Sequence, residues 1–332
     1  MSWLLSTHEE VVSYLRQMEW VNIDEQLKVE LLTGGVSNMV WKITTPSKRW
    51  VLKQALPKLK VQEEWYSDVD RIFREQLVMR FLQDLIPSDT VPGIIHHDLE
   101  RHILIMNCAP ESTIPWKNQL MEGIFDQSVA SNVGRLLKMI HKQSLSMNEN
   151  QIAQLKDLRF SKQLRIDPFY HYIGQKYAEL KNMVQVLVKD LTEVQFCLVH
   201  GDFTPKNILV DQDHSLILLD YEVAHWGNPV FDLVSCIAHL LLKGWALEKR
   251  TEAVRTVLAL LDEYGEQISE KFPCHLGLFL LSRLDGKSPV SYLQDDKLIK
   301  EIRMTALNIL RGSRKVPLDQ FFHEVMGGDS TL

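Results

Sequence analysis

The stretch from Phe196 to Glu222 constrains this chain more than any other. Two short apolar runs, Phe196 to Val210 and Ser215 to Asp220, are broken by a polar turn inside a second half otherwise patterned as helix. The first run contains Leu198-Val199-His200-Gly201-Asp202-Phe203-Thr204-Pro205-Lys206-Asn207-Ile208-Leu209-Val210, which sets an acid and an amide five positions apart on a turn before an apolar strand. The second run, Leu216-Ile217-Leu218-Leu219, ends on Asp220. Asp202 and Asp220 are eighteen residues apart, yet a turn and the end of the adjacent strand of a hairpin can converge in space.

The first third has a different rhythm. Glu9 to Met18 is helical in pattern, and Val29 to Lys42 predicts strand, small-residue turn and strand around Thr33-Gly34-Gly35-Val36-Ser37-Asn38. Arg49 to Gln54 predicts a third strand. From Asp68 to Leu85, Val69, Ile72, Phe73, Leu77, Phe81 and Leu82 recur at helical spacing and predict one apolar stripe, ended by Pro87 and Pro92. Gly93 to His97 and His102 to Met106 predict two more strands, and Cys108-Ala109-Pro110 a linker. Beyond it, Phe125 to Gln143 and Tyr170 to Thr192 predict long amphipathic helices.

At 332 residues, two lobes are the default expectation. Hydrophobic residues at 45% and charged residues at 24% are ordinary for a globular chain, so neither disorder nor a membrane role is indicated. A net charge of −6 gives no overall attraction to nucleic acid or anionic lipid, and neither is an expected partner. Cys108, Cys197, Cys236 and Cys274 form no CxxC pair and are expected to be reduced core thiols. The opening MSWLLSTHEE has no basic start, and no run of eighteen apolar residues occurs, which makes the cytoplasm the expected compartment.

Phosphoryl transfer asks little covalent chemistry of a protein. It needs a carboxylate beside the attacking hydroxyl and oxygen ligands holding magnesium on the phosphates. Asp202, Asn207 and Asp220 match that need. Small-residue hairpin, strand lysine, helical glutamate, His200-Gly201-Asp202 with Asn207, then Leu219-Asp220, in that order, resemble the aminoglycoside phosphotransferase and choline kinase-like family, relatives of the protein kinases. The resemblance spans nearly the whole chain. It implies an α+β, bilobal protein-kinase-like fold, with a small β-rich nucleotide-binding lobe over residues 1–109 and a larger, mainly helical lobe over residues 110–332 for catalysis and the acceptor.

It also implies ATP and Mg2+, with a small-molecule hydroxyl acceptor. Asp202 would orient or deprotonate the hydroxyl, and Asn207 and Asp220 would ligate magnesium. Lys53 would meet the α- and β-phosphates, held by Glu75, while Gly34, Gly35, Ser37 and Asn38 would form the loop over the phosphates. Adenine would sit against Met106, Asn107 and Ala109. Lys53 to Pro57, Glu64-Trp65 and Asp70 to Glu75 resemble the methylthioribose kinases in particular, as does the acid pair Asp220 and Glu222.

Glu222 and Arg283 are candidate substrate contacts, and a neutral sugar-like acceptor such as 5-methylthioribose is expected over an aminoglycoside. Alternatives are an aminoglycoside or amino-alcohol phosphotransferase, or a catalytically silent nucleotide-binding regulator. Intact Lys53, Asp202, Asn207 and Asp220 argue against the last. His200 is expected to hold the loop rather than shuttle protons, Asp232 either to brace the loop or to be an ordinary helix-start acid, and Trp116, Trp226 and Trp245 to be packing residues. Monomer and homodimer are both compatible with the sequence.

Overall fold

The computed structural model describes residues 3–33, 35–61, 63–312 and 316–327. Its contacts separate into two units, Met1–Pro110 and Glu111–Leu332. In the first unit the order is α1 (His8–Gln17), β1 (Lys28–Leu31), β2 (Asn38–Thr44), β3 (Arg49–Ala55), α2 (Arg71–Leu85), β4 (Ile94–Asp98) and β5 (Ile103–Asn107). The five strands form one antiparallel sheet in the order β1-β2-β3-β5-β4. Alternation sets its register: Trp41 opposes Leu52 and Ile43 opposes Trp50, and all four are buried with Val11, Tyr14 and Leu15 of α1. The Thr7 side chain accepts from the Glu10 N–H and starts α1.

Helix α2 departs from the expected stripe. Ile72, Glu75, Val78, Met79 and Leu82 are buried, while Phe73, Leu77 and Phe81 are half-buried. The inward face is rotated because Glu75, a carboxylate that hydropathy would place outside, has a cationic partner within the unit. Ile86 is extended ahead of Pro87, whose ring disfavours helix in the preceding residue, and α2 stops there.

The second unit runs β6 (Ile114–Pro115), α3 (Trp116–Met121), α4 (Gln127–Gln143), α5 (Glu149–Leu155), α6 (Arg159–Ser161), a π-helical segment Lys162–His171, α7 (Tyr172–Lys176), α8 (Lys181–Glu193), β7 (Cys197–Val199), β8 (Ile208–Val210), β9 (Leu216–Leu218) and β10 (His225–Gly227). It continues with α9 (Val230–Ala246), α10 (Arg250–Tyr264), α11 (Phe272–Asp285), α12 (Asp296–Gly312) and α13 (Leu318–Val325). Almost every residue of α9 is buried, so the other helices are built around it. Where α4 meets α10, a Cβ on Gly134 would lie 2.2 Å from the Leu260 carbonyl oxygen, and only glycine permits that approach.

The single helix expected from Tyr170 to Thr192 is instead π helix, α7 and α8, with a break at Tyr177 (φ −117°, ψ 87°). Tertiary anchoring overrides the local period: the Tyr177 hydroxyl donates to Asp285 Oδ2 at 2.7 Å, and Lys176 Nζ donates to the Asp285 carbonyl at 3.1 Å. Cys197 and Cys236 are buried free thiols, whereas Cys108 and Cys274 are half-buried rather than in the core. Among the described residues, no helix is long and apolar enough to cross a membrane.

Candidate active site

The turn between β7 and β8 is held from below by one buried carboxylate. Asp232, in the first turn of α9, accepts from the His200 N–H through Oδ2 and from the Gly201 N–H through Oδ1, both at 2.8 Å. His141 Nε2 stands 3.2 Å from the same Oδ2, and Ser235 Oγ donates to the Phe203 carbonyl at 3.0 Å. Gly201 has φ +75°, and a Cβ there would lie 2.9 Å from the Val223 carbonyl oxygen, so the turn requires glycine. The Asp202 N–H donates to His200 Nδ1 at 3.1 Å, which leaves the ring proton on Nε2, 3.1 Å from the Leu219 carbonyl. His200 is thus a strut between the turn and the end of β9. Burial, partly opposed by Asp232, Asp202 and Asp220, holds its imidazole below its ordinary value and keeps it neutral.

Asp202 projects from that turn and is almost wholly buried, 7% exposed. Arg165 Nη2 at 2.9 Å, Lys206 Nζ at 2.8 Å and Asn207 Nδ2 at 2.8 Å all converge on Oδ2, so Oδ1 is the oxygen left for an incoming hydroxyl. Burial pushes the carboxyl up, but Arg165 and Lys206 outweigh it and hold the group below its ordinary 3.8. A depressed folded-state pKa means that the ionised group favours the fold above about pH 4, and that this contribution is lost as acid protonates it.

Asn207 and Asp220 flank the open end of the β8–β9 ladder. Ile208 opposes Leu218, and the Leu219 N–H donates to the Asn207 carbonyl at 2.9 Å, which sets Asp220 one residue past the pair. Asp220 has φ +74°, a backbone state that a non-glycine residue adopts at a cost, and such strain concentrates at functional positions. The Asn207 amide nitrogen is tied to Asp202, which leaves its oxygen facing away from that bond. No group of three or more His, Cys, Asp or Glu able to hold a metal occurs among the described residues. One carboxylate and one amide nevertheless suffice for magnesium, which takes its remaining oxygens from phosphates and water. Glu222 lies two residues on and is 2% exposed.

In the first unit, Lys53 of β3 points its Nζ at both oxygens of Glu75, at 2.8 and 2.7 Å, and both residues are buried. Asn38 opens β2 and Ser37 directly precedes it; the Ser37 carbonyl accepts from Arg71 Nη2 and from the Leu56 N–H. Arg71, fully buried, also donates to the Leu56 carbonyl at 2.9 Å and so ties the loop to the start of α2. A Cβ on Gly35 would meet nothing within 4 Å, and Gly34 lies outside the described residues. Met106 and Asn107 end β5. The Asn107 N–H donates to the Gly93 carbonyl at 2.8 Å and the Cys108 N–H to that of Arg49 at 3.2 Å, so the amide of Ala109 is the first one past the sheet.

Sequence reasoning missed Arg165 and Arg71. Arg165 lies on the π-helical segment, donates to the Gly201 carbonyl at 2.9 Å and pairs with Asp202. Its one sequence signal was Pro168, a proline inside an apolar helical pattern, which marks a distorted segment rather than a particular side chain.

Residues 28–267 match the phosphotransferase enzyme family, and the chain belongs to it. It is a small-molecule kinase, a phosphotransferase with a hydroxyl acceptor. Methylthioribose kinase of Bacillus mycoides (strain KBAB4) is 24% identical over 278 residues, covering 75% of this chain and 69% of the relative. Among solved structures, Plasmodium vivax ethanolamine kinase superposes with a TM-score of 0.54 at 13% identity, over 98% of this chain and 89% of that one. Spectinomycin phosphotransferase in complex with ADP and spectinomycin gives 0.51 at 15% identity, over 98% and 94%. These likenesses show the protein-kinase-like fold.

Proposed function

We propose that the chain transfers the γ-phosphoryl group of ATP to a hydroxyl of a small sugar-like metabolite with the help of magnesium. The observation that carries this reading is the meeting of Asp202, Asn207 and Asp220 at one strand hairpin, with Asp202 held ionised and one of its oxygens left open. Asp202 accepts the hydroxyl hydrogen bond and orients the nucleophile. Because its carboxylate is a weakened base, it takes the proton late, as the oxygen–phosphorus bond forms. Asn207 and Asp220 hold magnesium, which neutralises charge on the phosphates. Lys53 contacts the α- and β-phosphates, Glu75 fixes its ammonium, Gly34, Gly35, Ser37 and Asn38 cover the phosphates, and Ala109, with Met106 and Asn107 beside it, offers main-chain groups to adenine.

ADP bound to the spectinomycin phosphotransferase, and the kinase names of the relatives, support ATP as donor. Methylthioribose, named for the bacillary relative, is a candidate acceptor. A polycationic aminoglycoside suits the site poorly, since Arg165 and Lys206 already crowd Asp202 with positive charge. The four free cysteines suit a reducing compartment, and we place the protein in the cytoplasm.

The test is magnesium-dependent ADP release with sugars, sugar derivatives, choline and kanamycin side by side. Stimulation by at least one acceptor is expected; magnesium-independent nucleotide binding with no stimulation by any would favour the regulatory reading instead. Lys53→Met is expected to lower turnover by about a hundredfold, through lost phosphate positioning. It also leaves Glu75 buried without its cation, which costs about 3 kcal/mol of stability. Adding Glu75→Gln should recover stability but not turnover; turnover equal to wild type in Lys53→Met would remove the lysine from the mechanism.

A further inference from the structure

Near Asp202 the second unit contains positive charge that it does not neutralise. Arg283, close to the C-terminal end of α11, has its guanidinium carbon 5.6 Å from the centre of the Phe169 ring, and that of Arg165 is 5.8 Å from the same ring. Arg165 is paired with Asp202. Arg283 makes no side-chain hydrogen bond or ion pair with any described residue, and its Nε is a buried donor without an acceptor. The Tyr292 hydroxyl, also buried, has no hydrogen-bond partner among the described residues either. Over the Tyr292 ring, at 5.2 Å, lies the ammonium of Lys243 from α9, a residue only 2% exposed. Among the described residues its one hydrogen bond is to the His239 carbonyl at 3.2 Å, four residues back in its own helix, and none of their carboxylates pairs with it.

A buried ammonium without counter-charge and buried donors without acceptors are costly, and a fold that has no ligand to satisfy them normally removes them. Burial, reinforced by Lys117 and Arg283, pushes Lys243 down to about 7. Burial likewise lowers Arg283 to about 10 although Tyr292 and Asp202 pull the other way. After burial, the strongest influences on His239 are four cations: Lys243, Arg283, Lys206 and Lys117. The unmet atoms at Arg283, Tyr292 and Lys243 are donors, and the group that accepts from all of them while offering no proton in return is a carboxylate or a phosphate.

We propose that the hydroxyl acceptor also carries an anionic group, a carboxylate or a phosphate, which docks against Arg283, Lys243 and Tyr292 while the hydroxyl faces Asp202. This rests on the kinase reading and narrows it, away from the neutral sugar expected from sequence. The Phe169 ring, packed edge-on against Phe279 at 5.5 Å, supplies an apolar surface between the guanidinium that orients Asp202 and the one that takes the anion.

The experiment measures kcat/KM of wild type, Arg283→Gln and Lys243→Met on glycerate, ribose 5-phosphate, ribose, methylthioribose and choline, at fixed ionic strength. At least one anionic acceptor is expected to exceed every neutral or cationic one by about tenfold or more. Both substitutions should erase that margin, chiefly through KM, and the preferred arm separates carboxylate from phosphate. Methylthioribose or choline leading the panel, or both substitutions slowing neutral and anionic acceptors equally, overturns the proposal and leaves the kinase standing. A second readout is the rise in Tm of the Mg-ADP-saturated enzyme with sodium phosphate or acetate, relative to chloride. A rise lost in Arg283→Gln and kept in Lys53→Met supports the anion site even if no acceptor in the panel turns over, an outcome that would count against the kinase reading instead. No anion-specific rise in wild type overturns the proposal.

Discussion

Asp202→Asn lowers turnover by about a hundredfold or more while Mg-ATP affinity stays near that of wild type, the expected scale for losing a positioned proton acceptor. The amide keeps the volume of the carboxylate, so the turn built on Gly201, His200 and Asp232 retains its backbone bonds. What changes is charge. Arg165 and Lys206 lose the anion on which they converge, and the nucleophile meets a group that cannot take its proton. Stability falls by about 1 to 3 kcal/mol, because Arg165, held in place by the Gly201 and Leu164 carbonyls, cannot swing into water to be solvated. That loss should be largest above about pH 4 and shrink in acid, where wild-type Asp202 is itself protonated. Steady-state kinetics and denaturant melts at two pH values separate the effects; unchanged turnover in a folded variant would remove Asp202 from the reaction.

Asp220→Asn abolishes the magnesium-dependent part of nucleotide affinity, a loss of about tenfold or more read by calorimetry with and without the metal. Asparagine is the right probe. At φ +74° it is among the side chains that tolerate the left-handed region, whereas alanine would add backbone strain to the loss of the ligand. Asp220 is the only charged member of the proposed metal pair, so its neutral isostere should cost more than Asn207→Ala. If Mg-ATP affinity in Asp220→Asn matched wild type, the metal assignment would fail and the carboxylate would be left as a strained turn residue.

Much of this architecture was legible because it is local. Alternation at Trp41, Ile43, Trp50 and Leu52 gives strands with one buried face, and the turn from His200 to Asn207 followed by Leu216 to Asp220 can hardly form anything but a hairpin that brings its polar ends together. The oxygen-bearing side chains of the site were therefore visible as a set before any packing was known. The buried face of α2 was not. Hydropathy turned Phe73, Leu77 and Phe81 inward, whereas the fold turns Glu75 inward, because attraction to the Lys53 ammonium offsets the desolvation cost that the pattern assumes.

Long-range charge pairing is what sequence periodicity cannot encode, since period reports which side of an element faces the core and not which residue waits there. Arg165 reaches Asp202 from a π-helical turn 36 residues from Gly201, and nothing in the spacing of either announces the other. Asp232 could be a brace or an ordinary helix-start acid until α9 was seen to aim it at two main-chain amides. Arg283 and Lys243 sit on different helices, and only the packing of α9 and α11 with the π-helical segment shows that, among the described residues, no carboxylate pairs with either cation. The sequence by itself determined the strands, the hairpin and the chemistry of its polar ends; tertiary structure alone decided which buried charges are paired, because pairing depends on distances across the core that no local repeat carries.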